Sequence, residues 1–165
     1  MQVLAQLLLE GTSPIVTVLA AAAVLYLRDG RAVLLVAGAL IARSIVLALK
    51  RIIRQPRPDP NTHKKSEGFP SSHATLLSFF SFMLSTPQWG LSWSAVGAVW
   101  AVCGVLVGVR VLYAYHSTIQ VLAGLFLGCT LAFLWEWLGV AFLLAPTDAL
   151  VKQFVKNFTS VIATA

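Results

Sequence analysis

Three short segments of the chain carry residue types that handle phosphate. Lys50 stands seven residues before Arg57-Pro58, Pro70-Ser71-Ser72-His73 follows, and Arg110 stands six residues before His116, with Gln120 four residues further on. Guanidinium forks match phosphoryl oxygens, and a lysine adds a compact positive charge. Ser71-Ser72-His73 opens a helix behind a proline, where backbone N–H groups and hydroxyls form a ready anion site. Two histidines supply what phosphoester cleavage needs besides charge neutralisation, namely a nucleophile and a proton donor. The sequence has no acidic cluster suited to magnesium, so the chemistry is expected to run without a metal or other cofactor. Cys103 and Cys129 lie inside apolar runs with no CxxC or Cys/His metal spacing, and they read as packing residues.

These segments need elements to hold them, and the composition says which. Of 165 residues, 58% are hydrophobic and 11% charged, against about 45–50% apolar and about 25% charged in an ordinary soluble domain. The length suits one domain, 1–165, and the composition excludes a disordered chain. Twelve Lys and Arg against six Asp and Glu give a net charge of +6, a shortage of acids rather than the spread basic face a nucleic-acid binder uses. The expected fold is therefore all-α, a polytopic integral membrane helix bundle with about five spans. The spans are expected over residues 13–27, 32–49, 74–86, 94–109 (continuing toward 115) and 117–146. Interfacial helices are expected at one or both ends: residues 2–9, and an amphipathic segment 149–161 capped by Thr147-Asp148 with Lys152 and Lys156 on its polar face. The first ten residues hold no Lys or Arg and do not read as a signal peptide. Trp135 and Trp137 read as interface anchors near the end of the last span.

The polar insert 50–73 holds half of the twelve basic residues. Helix order then makes a prediction. The second span exits at Lys50 and the third re-enters at His73; the fourth exits at Arg110 and the fifth re-enters at His116. All three clusters must lie on one side of the membrane.

Together, these segments resemble the signature of the type-2 phosphatidic acid phosphatase superfamily: Lys-x6-Arg-Pro, Pro-Ser-Gly-His and Ser-Arg-x5-His-x3-Asp. Lys50, Arg57 and Pro58 match the first part. Pro70, Ser71 and His73 match the second, with Ser72 in the glycine place. Arg110 and His116 match the third, with Val109 for serine and Gln120 for aspartate. The resemblance covers a motif-bearing core of about 50–124 within a single membrane-embedded phosphatase domain. It implies that His116 attacks phosphorus to form a phosphohistidine and that His73 protonates the leaving oxygen. Lys50, Arg57, Arg110, Ser71 and the backbone at Ser72 would hold the phosphoryl oxygens. Gln120 would orient the imidazole in place of the usual aspartate, without its charge.

Pro-Ser-Ser-His and His-Ser-Thr-Ile-Gln-Val look most similar to the dolichyl-diphosphate phosphatase branch, and a plastid phosphatidate phosphatase branch looks similar at the same places. The implied substrate is a membrane lipid phosphate or diphosphate. The implied reaction is hydrolysis of polyprenyl (dolichyl) diphosphate to the monophosphate, serving lipid-carrier recycling for glycosylation. Phosphatidate or another lipid phosphate is the alternative. A lipid-phosphate binder or scramblase with weakened catalysis is the reading from outside enzymology. The resemblance places the active site lumenally in the endoplasmic reticulum, with plasma or plastid membrane as alternatives.

Bland readings hold elsewhere. Arg54, Lys64, Lys65 and His63 read as a solvated loop face or head-group contacts. Arg43, one heptad before Lys50, could pair with Glu136, snorkel or line the pocket. Tyr113 and Tyr115 read as packing, and Asn157-Phe158-Thr159 matches a glycosylation sequon. Apart from Lys50, Arg57 and Arg110, four basic residues fall on each side, so the positive-inside rule does not orient the bundle.

Overall fold

A computed structural model describes residues 29–58 and 67–164. Among them the regular structure is helical throughout. The long helices are α1 (Gly30–Ile53), α2 (Ser72–Leu84), α3 (Trp93–Leu112), α4 (Thr118–Leu138) and α5 (Leu144–Thr164). A short 3-10 turn, Pro87–Trp89, joins α2 to α3. The helices α1, α3 and α4 are each long and apolar enough to cross a membrane, while α2 is apolar but has only 13 residues. The protein is thus a helical membrane bundle. The expected first span and the expected helix at 2–9 lie outside the described residues, as do His63, Lys64 and Lys65.

Each of α1 to α4 starts on a side-chain oxygen that takes up a free backbone N–H. Asp29 accepts from Ala32 N, Ser71 from Ala74 N, Ser92 from Ala95 N and Ser117 from Gln120 N. Arg54 ends α1 in the left-handed region, its N–H returning to Lys50 O at 3.0 Å.

The core is built by close approach of small residues, as expected where lipid removes the hydrophobic drive between helices. On α4, Gly124 and Gly128 lie against α2. A Cβ at Gly124 would stand 2.7 Å from the Ser71 carbonyl oxygen, and one at Gly128 would overlap Ser78 Oγ and the Thr75 carbonyl. Gly38 on α1 makes room for the Trp135 indole, whose Nε1 donates to Leu34 O at 2.9 Å. Trp135 is therefore half-buried and packed against α1, while Trp137 is exposed.

Three sequence expectations need correction. The fifth span does not run to 146: α4 ends at Leu138, and a π-helical turn, Gly139–Leu143, leads into α5. Pro146 is no terminator because it stands in the first turn of α5, where a missing N–H is tolerated. The wider turn absorbs the change, with Leu144 N–H bonded to Gly139 O. For the same reason Thr147-Asp148 does not cap the last helix but lies inside it. Asp148 instead accepts from Gly30 N at 3.2 Å and pairs with Lys152 at 2.6 Å, tying α5 to the start of α1. Glu136 does not meet Arg43; it accepts from Gln88 Nε2 at 2.6 Å, and Arg43 faces outward, exposed.

Candidate active site

The helix order sends Lys50, Ser71, Arg110 and His116 to one end of the bundle. Burial there is nearly complete: relative exposure is 5% for Lys50, 0% for Ser71, 1% for Arg110, 3% for His116 and 1% for Gln120. Arg57, Ser72 and His73 are half-buried. Ser71 is the N-cap of α2, and Ser72 and His73 are its first two residues.

His116 sits in the turn between α3 and α4, its N–H bonded to Arg110 O at 3.2 Å. The preceding Ala114 takes a positive φ of 53° to make that turn. Gln120, at the third position of α4, completes a capping box with Ser117. Its Oε1 accepts from Ser117 N–H at 3.2 Å and lies 3.1 Å from His116 Nδ1. Its Nε2 donates to the Pro56 carbonyl at 2.9 Å. A backbone N–H can only donate and a backbone carbonyl can only accept, so the orientation of this amide is fixed from both sides. It follows that Nδ1 of His116 carries a proton and that Nε2 carries the lone pair of the neutral ring.

Arg57 lies against that second nitrogen. Its Nη1 is 3.1 Å from His116 Nε2 and donates to Tyr115 O at 2.8 Å. Lys50 Nζ donates to the Glu67 carbonyl at the far end of the insert. The insert closes on itself where Gly68 N–H meets Gln55 O at 2.7 Å, and α2 is joined to α4 where Ser71 N–H meets Gln120 O at 3.0 Å. Burial lowers the imidazole pKa of His116 to about 4, helped by the Arg57, Lys50 and Arg110 charges and opposed by the Gln120 hydrogen bond. Burial also lowers that of Arg57. The arrangement is a neutral imidazole with one reactive nitrogen, ringed by three cations beside a helix N-terminus.

The residues singled out by sequence are thus brought together by hydrogen bonds, electrostatic contact or the N-terminus of α2, on whose first turn Ser72 and His73 stand. Sequence reasoning missed the backbone partners, the carbonyls of Pro56, Glu67 and Tyr115. It also missed Gly68, which is buried against Gln120: a Cβ there would stand 2.5 Å from its Nε2. A lone glycine ahead of Phe69-Pro70 was the available signal, since such a glycine often marks close backbone approach.

Comparisons with known proteins bear on the family and the fold. No protein-family model matches the chain. Over 127 residues it is 33% identical to lipid phosphate phosphatase epsilon 1, chloroplastic, of Arabidopsis thaliana, covering 73% of this chain and 45% of that one. It is 29% identical over 123 residues to dolichyldiphosphatase 1 of Dictyostelium discoideum, covering 68% and 54%. The chain therefore spans about half the length of the curated relatives it matches. Its fold matches the crystal structure of a transmembrane PAP2-type phosphatidylglycerolphosphate phosphatase from Bacillus subtilis, with a TM-score of 0.62 and 23% identity over 86% of this chain and 76% of that one. These relatives and this fold support the type-2 phosphatidic acid phosphatase superfamily for the chain. The segments that resemble the superfamily signature are the ones that the bundle gathers at one end.

Proposed function

We propose that this protein hydrolyses a lipid phosphate or diphosphate at the membrane face, by nucleophilic attack from His116. One observation carries the reading: a buried neutral imidazole offers its Nε2 lone pair inside a ring of three cations. In the first step Nε2 attacks phosphorus while the bond from phosphorus to the leaving oxygen breaks. The protonated His73 imidazole gives its proton to that oxygen. Lys50, Arg57, Arg110 and the α2 N-terminus at Ser71 and Ser72 neutralise the charge that builds on the phosphoryl oxygens. In the second step His73, now neutral, takes a proton from water. The resulting hydroxide displaces His116 from phosphorus, and phosphate leaves.

Arg57 has a second part. Its Nη1 donates to the nucleophile itself. A phosphoryl oxygen is the stronger acceptor, so substrate draws Arg57 off Nε2 and frees the lone pair only when there is something to attack.

The preferred substrate is polyprenyl (dolichyl) diphosphate, cleaved to the monophosphate, on the strength of the Pro70-Ser71-Ser72-His73 and His116–Val121 segments. This assignment carries the lumenal placement in the endoplasmic reticulum with it. Phosphatidate in a plastid membrane is the second reading, favoured by the relatives at 33% and 34% identity, both named as chloroplastic lipid phosphate phosphatases. Phosphate release from each lipid, in detergent with a chelator present, separates them. Release from dolichyl diphosphate at the higher kcat/KM is expected. Release abolished by the chelator would sink the metal-free route, and binding without release from either lipid would make the protein a binder. His116→Ala should abolish turnover in a folded protein; turnover at the wild-type rate would remove His116 as nucleophile.

A further inference from the structure

The superfamily pattern has an acid where this chain has Gln120, so the amide invites the reading of a weakened carboxylate. Its surroundings say otherwise. An aspartate or glutamate can only accept, whereas Gln120 both accepts and donates. The oxygen serves the Ser117 N–H and His116 Nδ1, and the nitrogen serves the Pro56 carbonyl at 2.9 Å. A carboxylate oxygen in the place of that nitrogen would face a carbonyl oxygen at hydrogen-bond distance, acceptor against acceptor. Pro56 is the neighbour of Arg57, whose Nη1 lies 3.1 Å from the other nitrogen of the same imidazole. One amide therefore sets the tautomer of the nucleophile and also the position of the cation that covers it.

The amide has a seat. A side chain at Gly68 would put its Cβ 2.5 Å from Gln120 Nε2, 2.8 Å from Oε1 and 2.9 Å from Cδ. The Gly68 N–H is bonded to Gln55 O at 2.7 Å, so the backbone at 68 cannot back away without opening the insert. Gln120 itself is pinned through its main chain, its N–H on Ser117 Oγ at 3.3 Å and its carbonyl on Ser71 N–H at 3.0 Å. Neither partner has room to yield.

We infer that Gly68 and Gln120 form one positioning unit for the nucleophile: Gly68 is kept bare so that the Gln120 amide can bridge His116 to the Pro56-Arg57 segment, and the unit requires an amide rather than an acid. The inference rests on the reading of His116 as nucleophile. Two consequences separate it from simple packing. Gly68→Ala acts through Gln120, so its effect must vanish once the amide is gone. Gln120→Glu keeps the acceptor facing His116 and adds the charge of the superfamily's acid, yet it should lose activity.

The full chain in detergent supplies the test, with 15N-labelled histidine to read the His116 tautomer and phosphate release to read rate. Gly68→Ala should lower kcat about ten-fold or more, as tautomer errors do in other histidine-dependent hydrolases, with KM moved less than about three-fold. In the same folded variant the His116 spectrum should leave the pure Nδ1–H form of the wild type. In a Gln120→Ala background, adding Gly68→Ala should lower kcat less than about two-fold further, because sites acting through one another are not additive. Gln120→Glu should fall about ten-fold or more below wild type. A folded Gly68→Ala with the wild-type tautomer overturns the proposal. So does a full additive loss in the Gln120→Ala background, or a Gln120→Glu rate at or above wild type. A wild-type chain that releases no phosphate from any lipid phosphate sinks the phosphatase reading instead, and the tautomer spectra then decide the positioning unit alone.

Discussion

His116 is a histidine that its surroundings keep uncharged. Burial does most of this, the Arg57 charge is next, and the Gln120 hydrogen bond works against both. With the folded pKa near 4 and an unfolded value near 6.5, the unfolded chain takes up a proton first as pH falls. The group therefore leaves stability untouched above about pH 6.5, and stability declines between there and about pH 4, by about 3 kcal/mol when fully developed. The same numbers make a local prediction. In substrate-free protein the His116 resonances should titrate with a midpoint near 4. The charged groups that set it, Arg57, Lys50 and Arg110, are those a phosphate would neutralise. Saturating inorganic phosphate should therefore move the midpoint upward, whereas a midpoint near 6.5 in its absence would contradict the buried, cation-ringed site. At this scale the sequence was informative about residue types and poor about partners. Lys50, Arg57, Arg110 and His116 could be picked out because phosphate chemistry needs those side chains at motif spacing. Their backbone acceptors could not, because a carbonyl has no letter in the sequence.

Helices put those residues together, and small residues let the helices approach. The glycines at 124 and 128, one turn apart on α4, receive the stretch of α2 from Ser71 to Ser78. The N-terminus of α2 is thereby held against the N-terminus of α4, where Gln120 follows His116. Gly128→Val would drive a branched side chain into Ser78 Oγ and the Thr75 backbone, and overpacking of this kind costs about 1–3 kcal/mol. Its expected outcome is a lower melting temperature in detergent together with loss of turnover, because α2 can move away only by taking Ser71, Ser72 and His73 with it. Wild-type activity in that variant would mean that the α2–α4 seam does not set the site. The sequence let these helices be located by hydropathy, with boundaries off by one to four residues at most ends. It misleads at 139–146, because a proline reads as a stop whereas the first turn of a new helix tolerates it. It was silent about the seam, since a glycine in an apolar run looks alike whether it faces lipid or a neighbouring backbone.

The two ends of the molecule are built for different purposes. At the end away from the site, charges are matched: Arg31 pairs with Asp29 at 3.0 Å and donates to Gln88 O at 2.5 Å, while Lys152 pairs with Asp148, which also holds Gly30. These contacts join α1, the α2–α3 turn and α5. At the site end, three cations act together on one imidazole, all lowering its pKa, an arrangement that favours an anion more than it favours the empty fold. The consequence is measurable on the whole molecule. A ligand that binds only the folded form raises stability with its concentration, by about 2.7 kcal/mol at a hundred times its dissociation constant. Inorganic phosphate or vanadate should therefore raise the melting temperature of the wild type. Arg110 is 1% exposed and is one of the three cations that act on the His116 imidazole. Arg110→Met should therefore lose most of the anion-induced shift in melting temperature. The opposite pattern, a large loss of stability with the anion shift intact, would make Arg110 a strut of the fold and leave phosphate to Lys50, Arg57 and the start of α2.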